Sequence, residues 1–284
     1  MRLATYASVA TAASLIFAKA WAWWQSDSVS MLAALTDSSL DLVASLVTLF
    51  AIYHALQPAD KEHRFGHGKA EPLAGLWQAL FVSVSALFLL YQALQRLISP
   101  QPITDAVVAS IGVMMFAIFM TGLLLLFQRH VINRTGSTAI SADALHYKTD
   151  FLINISIIVA IVMTAAGWHR VDALIAMAIA FYILHSAWQI MRDAINLLMD
   201  HELPVAQRQQ IQDLVLKHAD VRGLHDLRTR QSGLQIFIQL HLELDGDISL
   251  QQANVICRQV EHDLSEQFAD VEVLINPHPA GDCR

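Results

Sequence analysis

Two short motifs place acidic and imidazole side chains beside or inside long apolar stretches. Asp37 and Asp41 lie four residues apart within one such stretch, and His146 and Asp150 repeat that spacing just inside another. Four residues is slightly more than one helical turn, so each pair lies on one face of a helix. A carboxylate at the centre of a membrane helix costs about 3 kcal/mol on insertion scales, and is tolerated where it lines a cavity, pairs or binds something. Three carboxylates and a histidine that face one another therefore predict a cation site.

The types of ligand in these motifs narrow the choice of metal. Four nitrogen and oxygen ligands favour the tetrahedral coordination of zinc, and an imidazole argues against magnesium or calcium. A ligating His146 must be neutral, so metal binding would release a proton, and a membrane proton gradient could drive the exchange. The alternative is two separate interhelical pairs that hold a helix bundle together. Such contacts usually use Ser, Thr, Asn or Gln, so we predict a metal site.

The composition indicates which elements must position these residues. The chain has 284 residues, of which 55% are hydrophobic and 15% are charged, against about 25% charged in an ordinary soluble domain. This predicts a polytopic membrane protein with a soluble portion. The formal net charge of -7 gives no indication of a nucleic-acid partner. Two cysteines without a Cys-x-x-Cys motif predict neither a disulfide framework nor a thiolate zinc site.

Six apolar stretches are each long enough to cross a bilayer, which takes about 20 helical residues. They predict six transmembrane helices within a domain of residues 1–199. Arginine and lysine are concentrated in alternate connections, so the positive-inside rule places both termini in the cytoplasm. With this topology both four-residue motifs lie near mid-membrane. The stretches are residues 3–24, 31–56, 73–98, 106–131, 137–167 and 171–199.

The composition becomes polar after residue 199, which predicts a cytoplasmic domain of residues 200–284. Helical periodicity at 205–218 is followed by strand patterns at 221–231 and 234–244. Ser249 is a suitable N-cap for a second helix, and the apolar alternation from 271 to 275 predicts a third strand. The order αββαβ predicts a small ferredoxin-like domain in which the helices cover one face of the sheet.

Three longer motifs together resemble the cation diffusion facilitator family. They are residues 58–71, residues 142–150 and residues 225–233, and the similarity extends over essentially the whole chain. The resemblance implies a homodimeric, proton-coupled exporter of divalent metal in the bacterial inner membrane. It assigns the transport site to Asp37, Asp41, His146 and Asp150.

The resemblance also implies a second metal site in the loop between helices two and three. Asp60, His63 and His67 supply usable ligands there, and three ligands leave an open position for weaker or exchangeable metal. The alternative is a solvated loop. Lys69 and Asp200 match a charge pair that interlocks protomers in the family, and the alternative for this pair is ordinary surface charge.

The cytoplasmic domain departs from the family pattern of a binuclear zinc site. His225 and His241 match two ligands, whereas Asn276 replaces an expected histidine and His278 replaces a bridging aspartate. Asn254 likewise stands where the family has a histidine. Since asparagine binds zinc poorly and a neutral histidine cannot bridge two metals, we expect at most one metal, held by His225, His241 and His278. The alternative is a pocket of solvated histidines.

Motifs and resemblance together predict an antiporter that exports Zn²⁺ by alternating access, with Cd²⁺ and Fe²⁺ as further candidate substrates. Zinc would serve as substrate and could also be a structural ion, and no organic cofactor is expected. The chain is not expected to be an enzyme, because no His-Glu-x-x-His motif occurs and four protein ligands leave no position for a catalytic water. The alternative is a membrane metal sensor that signals through its cytoplasmic domain.

Overall fold

The computed structural model describes residues 1–26, 29–98, 111–165 and 171–281. These residues form two compact units. The first comprises Met1–Gln57 with Ala70–Ile195, and the second comprises Pro58–Lys69 with the chain from Asn196 onward. The predicted start of the fourth apolar stretch at 106–110 and the predicted end of the fifth at 166–167 lie outside the described residues.

The first unit is built from long helices. The bounds are α1 Arg2–Ser26, α2 Val29–Ala55, α3 Ala70–Ile98, α4 Ile111–Thr135, α5 Thr138–Ala165 and α6 Val171–Leu198. α1 packs against α2 and α4, α2 packs against α3, and both α3 and α4 pack against α5. Small residues permit the close approach of α3 and α5, since a Cβ at Gly75 would lie 3.0 Å from the backbone carbonyl group of Thr138.

Five of these helices are long and apolar enough to cross a membrane, which confirms a polytopic helical membrane domain. α5 is not among the five found in the part of the chain that the structure describes. Its 28 residues carry His146 and Asp150 of the predicted site. The count of six spans therefore stays a prediction. The five spans are Arg2–Gln25, Ala34–Ala55, Ala70–Ile98, Gly112–Thr135 and Ala173–Leu198.

The second unit contains a three-stranded sheet and two helices in the predicted order αββαβ. The bounds are α7 Val205–Leu216, β1 Gly223–Ser232, β2 Gln235–Leu244, α8 Leu250–Gln267 and β3 Val271–Pro279. The strands are ordered β1-β2-β3, with β1 and β2 antiparallel and β2 and β3 parallel. A capping box between Ser249 and Gln252 begins α8. The ferredoxin-like classification stays a prediction.

Apolar residues at the predicted periods form the core of this unit. Alternate residues of β2 are buried, from Ile238 through Leu240 and Leu242 to Leu244. They pack against one face of each helix. Residues three and four apart on a helix point the same way, so the apolar residues of each helix share that face. The helical residues of this core are Ile211, Val215, Ala253, Ile256, Val260 and Leu264.

The loop Pro58–Lys69 packs with the second unit, although the predicted domain of residues 1–199 included it. The Phe65 ring meets Phe237 of β2 edge-on at 5.9 Å, and the Arg230 guanidinium lies 4.8 Å from one ring centre and 4.5 Å from the other. Gly68 passes so close to β1 that an added Cβ would lie under 3.0 Å from the backbone carbonyl of Ser232. A glycine is therefore required at this point of the loop.

Candidate metal centre

The main cluster of ligating side chains in the first unit joins α2 to α5. Nε2 of His146 lies 2.8 Å from Oδ1 of Asp41 and 3.9 Å from Oδ2 of Asp150. One ligand atom from each of the three residues falls within 4.8 Å of the other two. Asp41 is twelve residues past the start of α2 and Asp150 is twelve past the start of α5, about 18 Å along each helix. The side chains of Asp41 and His146 are only 8% and 9% exposed.

Asp37, the fourth predicted ligand, is not part of this three-residue cluster. It is exposed, one turn before Asp41, and lines a cavity of about 240 Å³ that Asp41 and Asp150 also line. Lys19 of α1 enters the same cavity and donates a hydrogen bond from Nζ to Oγ of Ser38 at 2.5 Å. The sequence did not indicate a role for Lys19, since a lone lysine in an apolar helix resembles a residue that reaches toward the membrane surface.

The cluster has the ligands and the surroundings that a divalent cation needs. Two carboxylates supply negative charge, and the imidazole supplies a nitrogen ligand suited to zinc and to later first-row metals. Both helices present these groups from one face, as the four-residue spacing predicts. Because Nε2 of His146 binds either a proton or a metal, occupation by one excludes the other.

The second ligand cluster lies in the loop Pro58–Lys69. Asp60 contacts both histidines, with Oδ1 3.5 Å from Nδ1 of His63 and Oδ2 3.3 Å from Nε2 of His67. The two imidazole rings are 4.6 Å apart. His67 is buried, whereas the side chains of Asp60 and His63 are 51% and 56% exposed. Among the described residues, this cluster and the α2–α5 cluster are the groups of three that could hold a metal.

The backbone of the loop holds the Asp60 carboxylate in place. Oδ1 accepts hydrogen bonds from the backbone N–H of His63 at 2.6 Å and of Glu62 at 2.9 Å. The hydrogen bond from His63 is the main cause that lowers the pKa of Asp60, with the nearby imidazoles adding to it. The group is therefore a ready anionic ligand.

The cytoplasmic histidines meet where the three strands lie side by side. His225 pairs with His241 across β1 and β2, and His278 of β3 lies opposite Glu243. The ring centres of His225 and His241 are 5.2 Å apart, those of His225 and His278 are 5.7 Å apart, and those of His241 and His278 are 4.7 Å apart. The amide of Asn276 lies 3.4 Å from Nε2 of His241. The three rings are thus neighbours. Their ligand nitrogens do not all lie within 4.8 Å of one another, as the ligand atoms of each of the other two clusters do.

Two acidic residues near these histidines were missed from the sequence. Oε1 of Glu243 lies 3.1 Å from Nδ1 of His225, and Oδ2 of Asp226 lies 3.8 Å from Nε2 of His241. A hydrogen bond from Arg228 lowers the pKa of Asp226. Glu243 could have been found, because it is two residues from His241 and side chains two apart on a strand share a face. Asp226 has a positive φ of 49° beside a bulge in β1, which the pattern did not indicate.

Lys69 and Asp200, the predicted interlock pair, contact each other within one chain. Nζ of Lys69 lies 3.0 Å from Oδ2 of Asp200 and also donates to the carbonyl of Leu198 at 3.3 Å. Arg230 reaches the other carboxylate oxygen at 3.5 Å. Both members of the pair are 39% exposed.

Comparison with known proteins decides the family. Residues 5–199 match the cation efflux transmembrane domain, and residues 203–280 match the cytoplasmic domain of cation efflux proteins. The chain belongs to the cation efflux family, the cation diffusion facilitators. The predicted recognition is confirmed, and the chain is a metal-cation transporter and not an enzyme. The second match is to a dimer domain, which is consistent with the predicted homodimer.

Two FieF cation-efflux pumps agree with this assignment. The cation-efflux pump FieF of Salmonella schwarzengrund is 47% identical over 276 residues, which cover 97% of this chain and 92% of the pump. FieF of Yersinia pestis is 47% identical over 279 residues, covering 98% and 93%. The metal-bound C-terminal domain of the CzcD transporter from Thermotoga maritima is 22% identical with a TM-score of 0.27, covering 29% of this chain and 100% of that domain.

Proposed function

We propose that this cation-efflux transporter exports Zn²⁺ from the cytoplasm in exchange for protons. The observation that carries the proposal is the position of His146 Nε2, which lies in a buried site between the carboxylates of Asp41 and Asp150. A proton and a metal compete for that one nitrogen, so each can displace the other. Exchange of a cation for a proton also limits the change of charge in a site that water reaches poorly.

In this proposal the substrate ion is held by Asp41, His146 and Asp150, and Asp37 joins them from its place in the shared cavity. The imidazole ligand supports zinc over manganese, while Cd²⁺ and Fe²⁺ stay candidate substrates. Alternating access would expose the site to each side of the membrane in turn. Proton entry would then protonate His146 and release the metal.

The wider arrangement belongs to the same proposal. Residues 1–199 would form a six-helix membrane domain, including α5, in the bacterial inner membrane with both termini in the cytoplasm. Residues 200–284 would form the cytoplasmic domain of a homodimer, with Lys69 and Asp200 at the interlock. Asp60, His63 and His67 would bind an exchangeable ion. His225, His241 and His278 would bind at most one ion, which would be structural.

The alternative function is a membrane metal sensor that signals through the cytoplasmic domain. The contact of three imidazole rings there favours it, because that cluster could report metal without transporting it. A sensor would bind metal and change the cytoplasmic domain without moving ions. A transporter moves zinc across the membrane and a sensor does not, so a measurement of zinc flux separates the two functions.

The test is zinc flux into vesicles that contain the purified protein and a trapped zinc-sensitive dye, with and without an imposed pH gradient. We expect proton-driven flux in the natural protein and its loss in Asp41→Ala. His218→Ala is the matched control, since His218 contacts Asp263 at 2.8 Å in the cytoplasmic domain, outside all three clusters. Undiminished flux in Asp41→Ala would refute the assigned site, and metal binding without flux in the natural protein would support the sensor.

A further inference from the structure

A buried carboxyl group outside the proposed metal site lies at the centre of the helical unit. Asp143 of α5 is 1% exposed. Its Oδ2 accepts hydrogen bonds from Oγ of Ser8 at 2.6 Å and from Nε2 of Gln128 at 2.8 Å. Its Oδ1 accepts from Nε2 of Gln78 at 3.1 Å and lies 3.5 Å from Oγ of Ser45. These four side chains come from α1, α4, α3 and α2, so five helices meet at Asp143.

A second layer of hydrogen bonds holds these donors in place. The hydroxyl of Tyr147 donates to the backbone carbonyl of Ser8 at 3.0 Å and lies 2.8 Å from Oγ of Ser45. Thr48 donates to Oε1 of Gln78 at 2.5 Å, which turns the amide nitrogen of Gln78 toward Asp143. Tyr147, Ser45 and Gln128 are all fully buried. Such a network, closed from water, keeps a single arrangement because each broken contact leaves a buried polar group unpaired.

The neighbours of Asp143 select a carboxylate over an amide of the same shape. Oγ of Ser8 and Nε2 of Gln128 donate to one of its oxygens, and Nε2 of Gln78 donates to the other. An ionised carboxylate accepts hydrogen bonds only, whereas an asparagine would turn its NH₂ group toward a donor. The cage is therefore matched to the acid and not to its closest neutral analogue.

The position of Asp143 on α5 relates this network to the proposed site. Asp143, His146 and Asp150 follow one another at three and four residues, so they share one face of the helix. Turning α5 by one residue would rotate that face by about 100° and would carry His146 away from Asp41. The hydrogen bonds of Asp143 oppose both this rotation and a slide along the axis.

We propose that Asp143 is a positioning residue for the metal site. Its carboxylate ties α5 to α1, α2, α3 and α4 and thereby holds His146 and Asp150 toward Asp41. Among the described residues no hydrogen bond joins Asp143 to any of these three, and the proposal places it outside the set of metal ligands. The inference rests on the proposed function only in taking the α2–α5 cluster as the metal site.

The test measures zinc affinity and not flux, so it does not depend on transport. The natural protein is titrated against a chelating dye, and the affinity that Asp41→Ala removes defines the site. We expect Asp143→Asn to raise the zinc Kd of that site about tenfold, at the lower end of what loss of a supporting contact costs. Thr5→Val is the matched control, because Thr5 is buried on α1 and its hydroxyl donates to the carbonyl of Arg2, within its own helix. The zinc Kd of the Thr5→Val protein should equal that of the natural protein.

A compensating exchange separates positioning from general stability. In the double variant Asp143→Asn with Gln128→Glu, the acid and the amide change places and still face each other. We expect the zinc Kd of this variant to be at most about threefold above that of the natural protein, against about tenfold for Asp143→Asn alone. If Asp143→Asn does not fold, Gln78→Ala removes one donor and should raise the Kd about threefold. An unchanged Kd in a folded Asp143→Asn protein, or a lower thermal midpoint with an unchanged Kd, would overturn the proposal. Zinc binding without flux in the natural protein would refute the proposed function alone.

Discussion

The α2–α5 cluster and the loop cluster use the same kinds of ligand in opposite surroundings. Asp41 and His146 are less than 10% exposed, whereas Asp60 and His63 are more than half exposed. A buried carboxylate without a partner loses its hydration with nothing in return, but an exposed one is still solvated by water. Similar ligand sets therefore have different consequences: the charge of carboxylates in the buried cluster must be offset by a proton or a metal, whereas water solvates those of the loop cluster.

The largest expected effect comes from removing the imidazole of the α2–α5 cluster, and removal of one imidazole from the loop cluster is the comparison. His146→Ala should lower zinc flux in vesicles by more than the 10- to 100-fold that loss of an outer-shell partner typically costs. His63→Ala should change maximal flux by less than about threefold, because the exposed cluster is not on the proposed path. Equal losses in the two variants would break the distinction between a transport site and an accessory site.

The next effect concerns the packing that positions the loop cluster. Gly68→Ala would place a Cβ under 3.0 Å from the carbonyl of Ser232, so the loop must move away from β1. We expect the overpacked contact to lower the free energy of unfolding by about 2 kcal/mol, measured by thermal unfolding. We also expect faster proteolysis within the loop, measured by limited digestion. Gly246→Ala is the control, since its Cβ would meet only the Pro279 side chain, at 3.5 Å. Similar stability in the two variants would contradict the docking of the loop on β1.

A third measurement sharpens the comparison with the cytoplasmic histidines. Zinc counts per chain should fall by at most one in His225→Ala, because the asparagines at 254 and 276 do not supply a second set of ligands. Restoring the family pattern with Asn254→His, Asn276→His and His278→Asp together should add one ion. A loss of two ions in His225→Ala, counted by elemental analysis of the full chain, would show that the departures from the family pattern do not matter.

The smallest effect is expected for the pair of Lys69 and Asp200. Both side chains are 39% exposed, so Lys69→Ala should lower the free energy of unfolding by less than about 1 kcal/mol. This difference should be smaller at high salt, where exposed charges are screened. Chemical unfolding at low and high salt measures both. A large loss that salt does not reduce would indicate a buried role at a protomer interface.

Much of the fold follows from local pattern. The apolar alternation of β2 and the helical period of α8 predicted the strands, the helices and the inward residues such as Ile238 and Val260. The five helices that are long and apolar enough to cross a membrane follow from length and hydropathy in the same way.

The sequence alone determined the two four-residue motifs, their sharing of a helix face, and the order αββαβ, because these depend on neighbours within a turn or a strand. Which side chains meet across elements follows from the tertiary structure alone. In the first unit Asp41, His146 and Asp150 come together, Asp37 lines the shared cavity, and polar side chains from four helices surround Asp143. In the second unit Glu243 lies beside His225, and the loop Pro58–Lys69 packs on β1 and β2. Such contacts depend on how helices and strands pack, and packing joins residues far apart in the chain, which periodicity within one segment cannot reveal.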